Sequence, residues 1–385
     1  MLSNLPQELI ELILAALDVE CLRSCSLVSS SLLAPSQRMI FRSLFLPNAN
    51  FSKVQSLFAI APHILGYVRD LHVELVPRVS SQNQNGVLLS ILTSCHHLQF
   101  LSIASGGRTL AEWDDMPLPL QSAVHDLLPS ALKLHTLVLL GIRNVPSSFI
   151  SRALSSIKRL LLCGINAQDS KSHLPSRFET ARTEHFSLLA PSDGMKPIVD
   201  LILPDTCPPR SLHSIRGLTL GMHRDVEVQS LRLIVATVNT LRLLRLQCAD
   251  FQTPFSLPRL PVLQEIELRF FWSVGLSQHL DITLASFPTA IPNIELLRLG
   301  FHGALPDREN LAEERTSPFP LFDGACAYRK RLPRLARVHC HWRSEQPSPL
   351  PDFADFNEYI RGKFPGLSDR VLEVSGGGDP DDIFY

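Results

Sequence analysis

A short apolar phrase, L-x-x-L-x-L, recurs along most of the chain. It occurs at Val68-Leu71-Val73, Leu98-Leu101-Ile103, Leu134-Leu137-Leu139, Ile157-Leu160-Leu162, Ile215-Leu218-Leu220, Leu241-Leu244-Leu246, Leu263-Ile266-Leu268, Ile294-Leu297-Leu299 and Leu335-Val338-Cys340, with a weaker copy at Phe186-Leu188. From Leu71 to Val338 the middle residues span 267 positions in nine steps of 22 to 41 residues. The last two apolar positions alternate, so in a strand both point to one face. The first, three residues earlier, turns in beneath them. Between the phrases, residues 86–93, 120–128, 149–156, 226–238 and 276–287 read as amphipathic or buried helices. A strand followed by a returning helix, repeated, predicts parallel strands that each pair with the next. Such a unit buries its apolar face only against its neighbours, so units accumulate. An ordinary doubly wound α/β domain would share the phrases, but no phosphate-binding loop follows any strand.

The first forty-six residues follow a different period. Leu9, Ile10, Ile13, Leu14 and Leu17 recur at helical spacing. Pro6 stands where a helix tolerates proline, Asn4 is placed to cap, Gln7 could complete a capping-box exchange, and Glu8 suits the helix dipole. Leu22, Cys25, Leu27, Val28 and Leu32 predict a second helix that Pro35 stops, and Met39, Ile40, Phe41 and Leu44 a third. Three short helices bury little surface alone, so this apolar excess either caps the remainder of the chain or awaits a partner.

Leu and Ile dominate the apolar 45% of the 385 residues while aromatics make up 7%, which suits many thin, similar layers. Basic and acidic residues balance at 36 and 37, a formal net charge of -1, which leaves no footprint for nucleic acid. The eight cysteines are scattered without a C-x-x-C pair and read as small buried hydrophobes in a reducing compartment. Glu8 and Glu11 interrupt the apolar stretch from Leu9 to Leu17, so it does not read as a signal peptide. No run of 18 apolar residues predicts a membrane span. The expected setting is cytoplasmic and/or nuclear, with neither nucleic acid nor membrane as partner.

The string Leu5-Pro6-Gln7-Glu8-Leu9, then Ile13, Leu17, Leu22, Cys25-Ser26-Leu27-Val28 and Phe41-Arg42-Ser43-Leu44, resembles the F-box motif, in a wording similar to F-box proteins of mushroom-forming fungi. The resemblance implies docking to a Skp-type adaptor protein and through it to a cullin scaffold. Carried over by position, Leu5, Pro6, Glu8, Leu9, Ile13, Leu17, Leu22, Cys25, Leu27 and Val28 would contact or support that adaptor. The family often has Trp four residues after the Val, where Leu32 stands, and a basic pair where Ser29, Ser30 and Ser31 stand. The phrase behind it resembles the leucine-rich repeat, though the family's Asn or Cys at the following turn is mostly missing. Together these imply a three-helix F-box over residues 1–46. An α/β leucine-rich-repeat-like solenoid, or horseshoe, would occupy 47–374, closed by a helix at 353–363 and a strand at 371–374, with a flexible acidic tail at 375–385. Residues 166–182, 303–324 and 344–351 are polar and Pro-rich and read as surface loops.

The function implied is that of a substrate-recognition subunit of an SCF-type, cullin-based ubiquitin ligase. The alternative is an interaction scaffold that does not direct ubiquitination. No G-x-x-x-x-G-K-[ST], H-E-x-x-H or G-x-S-x-G motif speaks for an enzyme, and no cofactor is expected. His339-Cys340-His341 offers two histidines on one strand face, and two ligands alone do not make a zinc site; His302, just past the strand before, could supply a third in principle. The residues between the inward apolar positions would face an unknown target protein: Arg245, Gln247, Glu265, Glu267, Arg269, Arg298, Arg337, His339 and His341. Arginine suits that role because its planar fork pairs with carboxylate or phosphate.

Overall fold

The computed structural model describes residues 5–47, 51–75, 82–106, 110–130, 133–168, 182–203, 212–248, 254–271, 276–303, 332–343, 351–364, 367 and 371–376. Asn4, most of the three expected loops and residues 377–385 lie outside them. The chain divides into two compact units, Met1–Thr183 and Glu184–Tyr385.

The first unit opens with α1 (Gln7–Ala15), α2 (Val19–Val28) and α3 (Ser30–Ile40). Asp18 caps α2, its Oδ1 accepting from Cys21 N at 2.7 Å. The next break falls at Ser29, whose extended backbone (φ -152, ψ 141) starts α3 and whose hydroxyl accepts from Ser31 N. The second helix therefore ends well before Pro35, which sits inside α3, buried. Proline was expected to stop a helix because it lacks an N–H; here a serine cap sets the boundary first. Pro6 precedes α1 without a side-chain cap, and Gln7 donates to Glu11 at 3.1 Å rather than closing a capping box.

Leu44 belongs to no helix. It lies in β1 (Ser43–Leu46), the first of five parallel strands continued by β2 (Asp70–Leu75), β3 (Phe100–Ser105), β5 (Thr136–Leu140) and β8 (Arg159–Cys163). The compact units thus do not part at residue 46, because residues 43–46 already hydrogen-bond into the sheet. Two parallel pairs stand beside it, β4 (Ala111–Glu112) with β6 (Ile142–Arg143) and β7 (Val145–Pro146) with β9 (Ala167–Gln168). Gly141 and Gly164 leave β5 and β8 with φ of +65 and +60, a turn that glycine adopts without strain. Helices α4 (Phe51–Ile60), α5 (Gln82–Ser94), α6 (Leu118–Ser130) and α7 (Ser147–Ser156) fill the returns. Their buried faces include Val54 and Phe58, Leu88 and Ile91, Leu120 and Val124, and Phe149 and Ile150.

The second unit repeats the plan. Its strands β10 (His185–Leu189), β11 (Gly217–Gly221), β12 (Leu243–Cys248), β13 (Glu265–Phe271), β14 (Leu296–His302), β15 (Arg337–Arg343) and β16 (Leu372–Gly376) pair in parallel, each with the next. Helices α8 (Ser192–Ile202), α9 (Glu227–Ala236), α10 (Leu276–Ala285), α11 (Phe287–Ala290) and α12 (Pro351–Lys363) lie between strands. Between β12 and β13 the described residues 254–264 form no helix, and Phe255, Leu257 and Leu260 are buried from this irregular segment instead.

The register explains the phrase. Leu218, Leu244, Ile266, Leu297 and Val338 form one rung across β11 to β15, and Leu220, Leu246, Leu268, Leu299 and Cys340 the next. Every one of these side chains is at most 1% exposed. Leu44 and Leu46 pair with Leu71 and Val73, and Leu372 and Val374 with Val338 and Cys340, so one unmarked copy precedes the series. Burying a leucine is worth about 1.5–3 kcal/mol, so continuous rungs dominate the stability of each unit.

Candidate interaction surfaces

The first candidate surface lies on the opening helices. Ile10, Leu14, Leu22 and Leu32 make a small core, with Leu5, Leu17, Cys25, Met39 and Ile40 packed against it. That core uses one side of α1 and α2. On the other side Leu9, Leu12, Ile13, Leu27 and Val28 are 45%, 68%, 48%, 87% and 78% exposed. Among the positions that resemble the adaptor-binding motif, Pro6, Glu8, Leu9, Ile13, Leu27 and Val28 are therefore exposed. Leu5, Leu17 and Cys25 are half-buried, and Leu22 is inside. Leu12 is exposed as well; its helical spacing to Leu9 carried that information, but the motif does not mark it. Leu32 fills the helical core where the family often has Trp. Of the three serines after Val28, Ser29 caps α3 and Ser30 and Ser31 begin it, the Ser29 and Ser31 hydroxyls lying 2.8 Å apart. The Cys21–Asp18 hydrogen bond holds the Asp18 carboxyl below its ordinary value and raises the Cys21 thiol.

The second candidate is the sheet face of the second unit opposite the apolar rungs. One rung there runs Thr219, Arg245, Glu267, Arg298, His339, Glu373 and the next Gly221, Gln247, Arg269, Gly300, His341, Ser375. All the residues expected to face a target lie on adjacent strands of this sheet, and most are spoken for within it. Glu267 is fully buried under two guanidinium groups, Arg269 Nε hydrogen-bonding its Oε1 and Arg245 Nε lying 2.9 Å from its Oε2. The Arg245 contact is an ion pair without hydrogen-bond alignment, since neither atom has a geometrically sound partner. Arg298 pairs with Glu265 at 3.1 Å and Arg337 with Glu373 at 3.7 Å. Sequence spacing placed Glu267 on this face but gave no sign of its burial, which arises from arginine stems on both sides.

His339 Nε2 lies 2.8 Å from the Ser375 hydroxyl. His341 is buried over Gly300, where an added Cβ would meet its Nε2 at 2.6 Å. The ring centroids of His339 and His302 stand 5.7 and 6.2 Å from that of His341, and Cys340 is buried on the opposite face. Among the described residues no three His, Cys, Asp or Glu side chains gather as metal ligands.

No family model matches this sequence, and no curated protein matches it.

Burial pushes the Cys95 thiol up to about 12 and the Cys248 and Cys340 thiols higher still, which leaves them protonated and unreactive. A cavity of about 10 Å³ beneath the first sheet, lined by apolar side chains such as Val73, Leu88, Met116 and Val124, has room for one water at most. No helix among the described residues is long and apolar enough to cross a membrane.

Proposed function

We propose that the chain is a substrate-recognition adaptor of an SCF-type ubiquitin ligase, its opening helices an F-box that docks a Skp-type adaptor and its repeats a leucine-rich-repeat-like solenoid that holds the target. The observation that carries this reading is the apolar set Leu9, Leu12, Ile13, Leu27 and Val28, exposed on helices whose opposite side already has a core. Burying a fully exposed leucine or valine is worth on the order of 1.5–3 kcal/mol, so covering the nearly free Leu27 and Val28 contributes most and the half-exposed Leu9 and Ile13 about half as much, against the freedom lost on association. Leu9, Leu12 and Ile13 stand within one stretch of α1 and Leu27 and Val28 end α2, and large exposed apolar side chains grouped in this way mark interaction sites. The positions coincide with the motif resemblance at Leu9, Ile13, Leu27 and Val28. In this role the chain does no bond chemistry; it raises the concentration of a target lysine near a ubiquitin conjugate.

The test is co-purification of the full chain with a Skp-type adaptor and a cullin, comparing wild type with Leu27→Asp/Val28→Asp. These two side chains are the most exposed of the set, whereas Leu5 packs against the helical core, so its truncation would mix docking with stability. The expected result is loss of the adaptor with an unchanged melting temperature. Equal capture by both proteins overturns the F-box reading, and capture of adaptor without cullin favours a scaffold that does not direct ubiquitination.

A further inference from the structure

Cys21 and Cys25 stand one turn apart on α2, a spacing that sets both on one face of the helix. Both are free thiols; Cys21 is exposed, and Cys25 is half-buried with one side against the helical core of Leu22 and its neighbours. The turn that carries Cys21 is pinned, because Asp18 accepts its backbone N–H at 2.7 Å. The Cys21 thiol hydrogen-bonds the same carboxylate and feels the charge of Cys25, so it stays protonated while free. No other two described cysteines share one element, and Cys95, Cys248 and Cys340 are buried. The pair on α2 is thus the accessible dithiol among the described residues.

Spacing and ligand type decide what such a pair can hold. One helical turn leaves Cβ atoms about 5–6 Å apart, beyond the about 3.5–4.5 Å of a disulfide. The intact helix therefore presents two thiols rather than a bridge. Structural zinc takes four ligands, and no three His, Cys, Asp or Glu side chains gather among the described residues. Calcium and magnesium take oxygen ligands. An ion held by two thiolates on opposite sides needs sulfurs about 4–5 Å apart, twice a metal–sulfur bond of about 2.3 Å. Side chains one turn apart meet that span without unwinding the helix, and soft thiolates favour copper(I). We propose that Cys21 and Cys25 form a two-coordinate site for copper(I) on the accessible side of α2. On binding, both S–H bonds break, two S–Cu bonds form and two protons leave to solvent, with no change of oxidation state.

The probe is copper(I), titrated anaerobically into the full reduced chain against bathocuproine disulfonate, with Cys21→Ser, Cys25→Ser and the double variant alongside. Each single substitution is expected to remove one equivalent of bound copper by weakening it at least about a hundredfold, the loss when a chelating pair becomes one ligand. The double variant should lose no more than that one equivalent. Because two protons leave, the wild-type affinity for it should rise up to about a hundredfold per pH unit below the thiol range. Zinc(II), titrated against a chromophoric chelator, should show no equivalent that depends on either cysteine. Should Cys25→Ser lower the melting temperature, Cys25→Ala replaces it. An equivalent retained in either single variant, a second equivalent lost in the double variant, or zinc held by this pair each overturns the proposal. Neither adaptor nor target enters these titrations, so their outcome is separate from that of the co-purification.

Discussion

Leu246→Ala tests whether the rungs carry the stability of the second unit. Leu246 is completely buried, and its register partners Leu220 and Leu268 are completely buried on the strands either side. Truncating a buried leucine costs about 2.7–5 kcal/mol, more when the surroundings cannot collapse into the space. Here both flanking side chains are tied to a hydrogen-bonded ladder, so the expected cost is near the upper end, about 4 kcal/mol. Repeat stacks couple nearest neighbours, so β11 and β13 should open together with β12. Urea unfolding gives the overall loss, and hydrogen exchange read peptide by peptide gives its spread. The expected pattern is lost protection over residues 217–221 and 265–271 as well as 243–248, with α1 to α3 unaffected. A loss below about 1 kcal/mol, or exchange confined to residues 243–248, would refute the reasoning.

Two further outcomes depend on side-chain surroundings. Burial lowers the value of His72, whose ring lies 4.8 Å from that of Phe100, and of His125, 4.9 Å from that of Phe149. Because these folded values lie below the ordinary 6.5, the unfolded chain binds the protons more readily. The stability they contribute is complete above 6.5 and is lost as pH falls from there toward the folded values. The urea midpoint should drop over that window, and less so in His72→Phe; a midpoint as steep as wild type in that variant contradicts the assignment. Gly300→Ala sets a Cβ against the buried His341 ring and should cost about 1–3 kcal/mol in thermal unfolding, whereas Gly221→Ala, with open space at its Cβ, should not; equal melting temperatures would remove the packing argument.

Much of this architecture was legible in the sequence because the apolar phrase and the register are the same fact. Wherever L-x-x-L-x-L stood, a parallel strand stands, its last two apolar residues inside. The first strand escaped because Phe41 and Leu44, which hold the leading and middle positions of the phrase, also continue a helical spacing from Met39 and Ile40, so Leu44 read as the end of a helix. Helices α4 and α8 went unread although Val54 and Phe58, and Met195, Ile198, Val199 and Ile202, stand at helical spacing; α8 carries Pro197 within it, which speaks against a helix in sequence. At Pro35 a local rule gave the wrong boundary, because the competing signal, a serine cap, is equally local and stronger there. Exposure on the opening helices could be read only in part: spacing groups Leu9, Leu12 and Ile13 with Ile10 and Leu14, and packing alone decides which side turns inward. On the charged face, spacing placed every residue but could not say that Glu267 would be enclosed, since that depends on how three long side chains fold over one another.

Within each unit, every ladder strand bonds to the strands that flank it along the chain. No pairing has to wait for a distant segment, so the entropic cost of closing long loops is met one return at a time. During synthesis a rung can close as soon as its strand leaves the ribosome, and the order of assembly runs with the direction of translation. A chain truncated at a return would leave an unsatisfied edge but an otherwise intact stack, so growth and loss of such proteins can proceed by whole strand–helix steps.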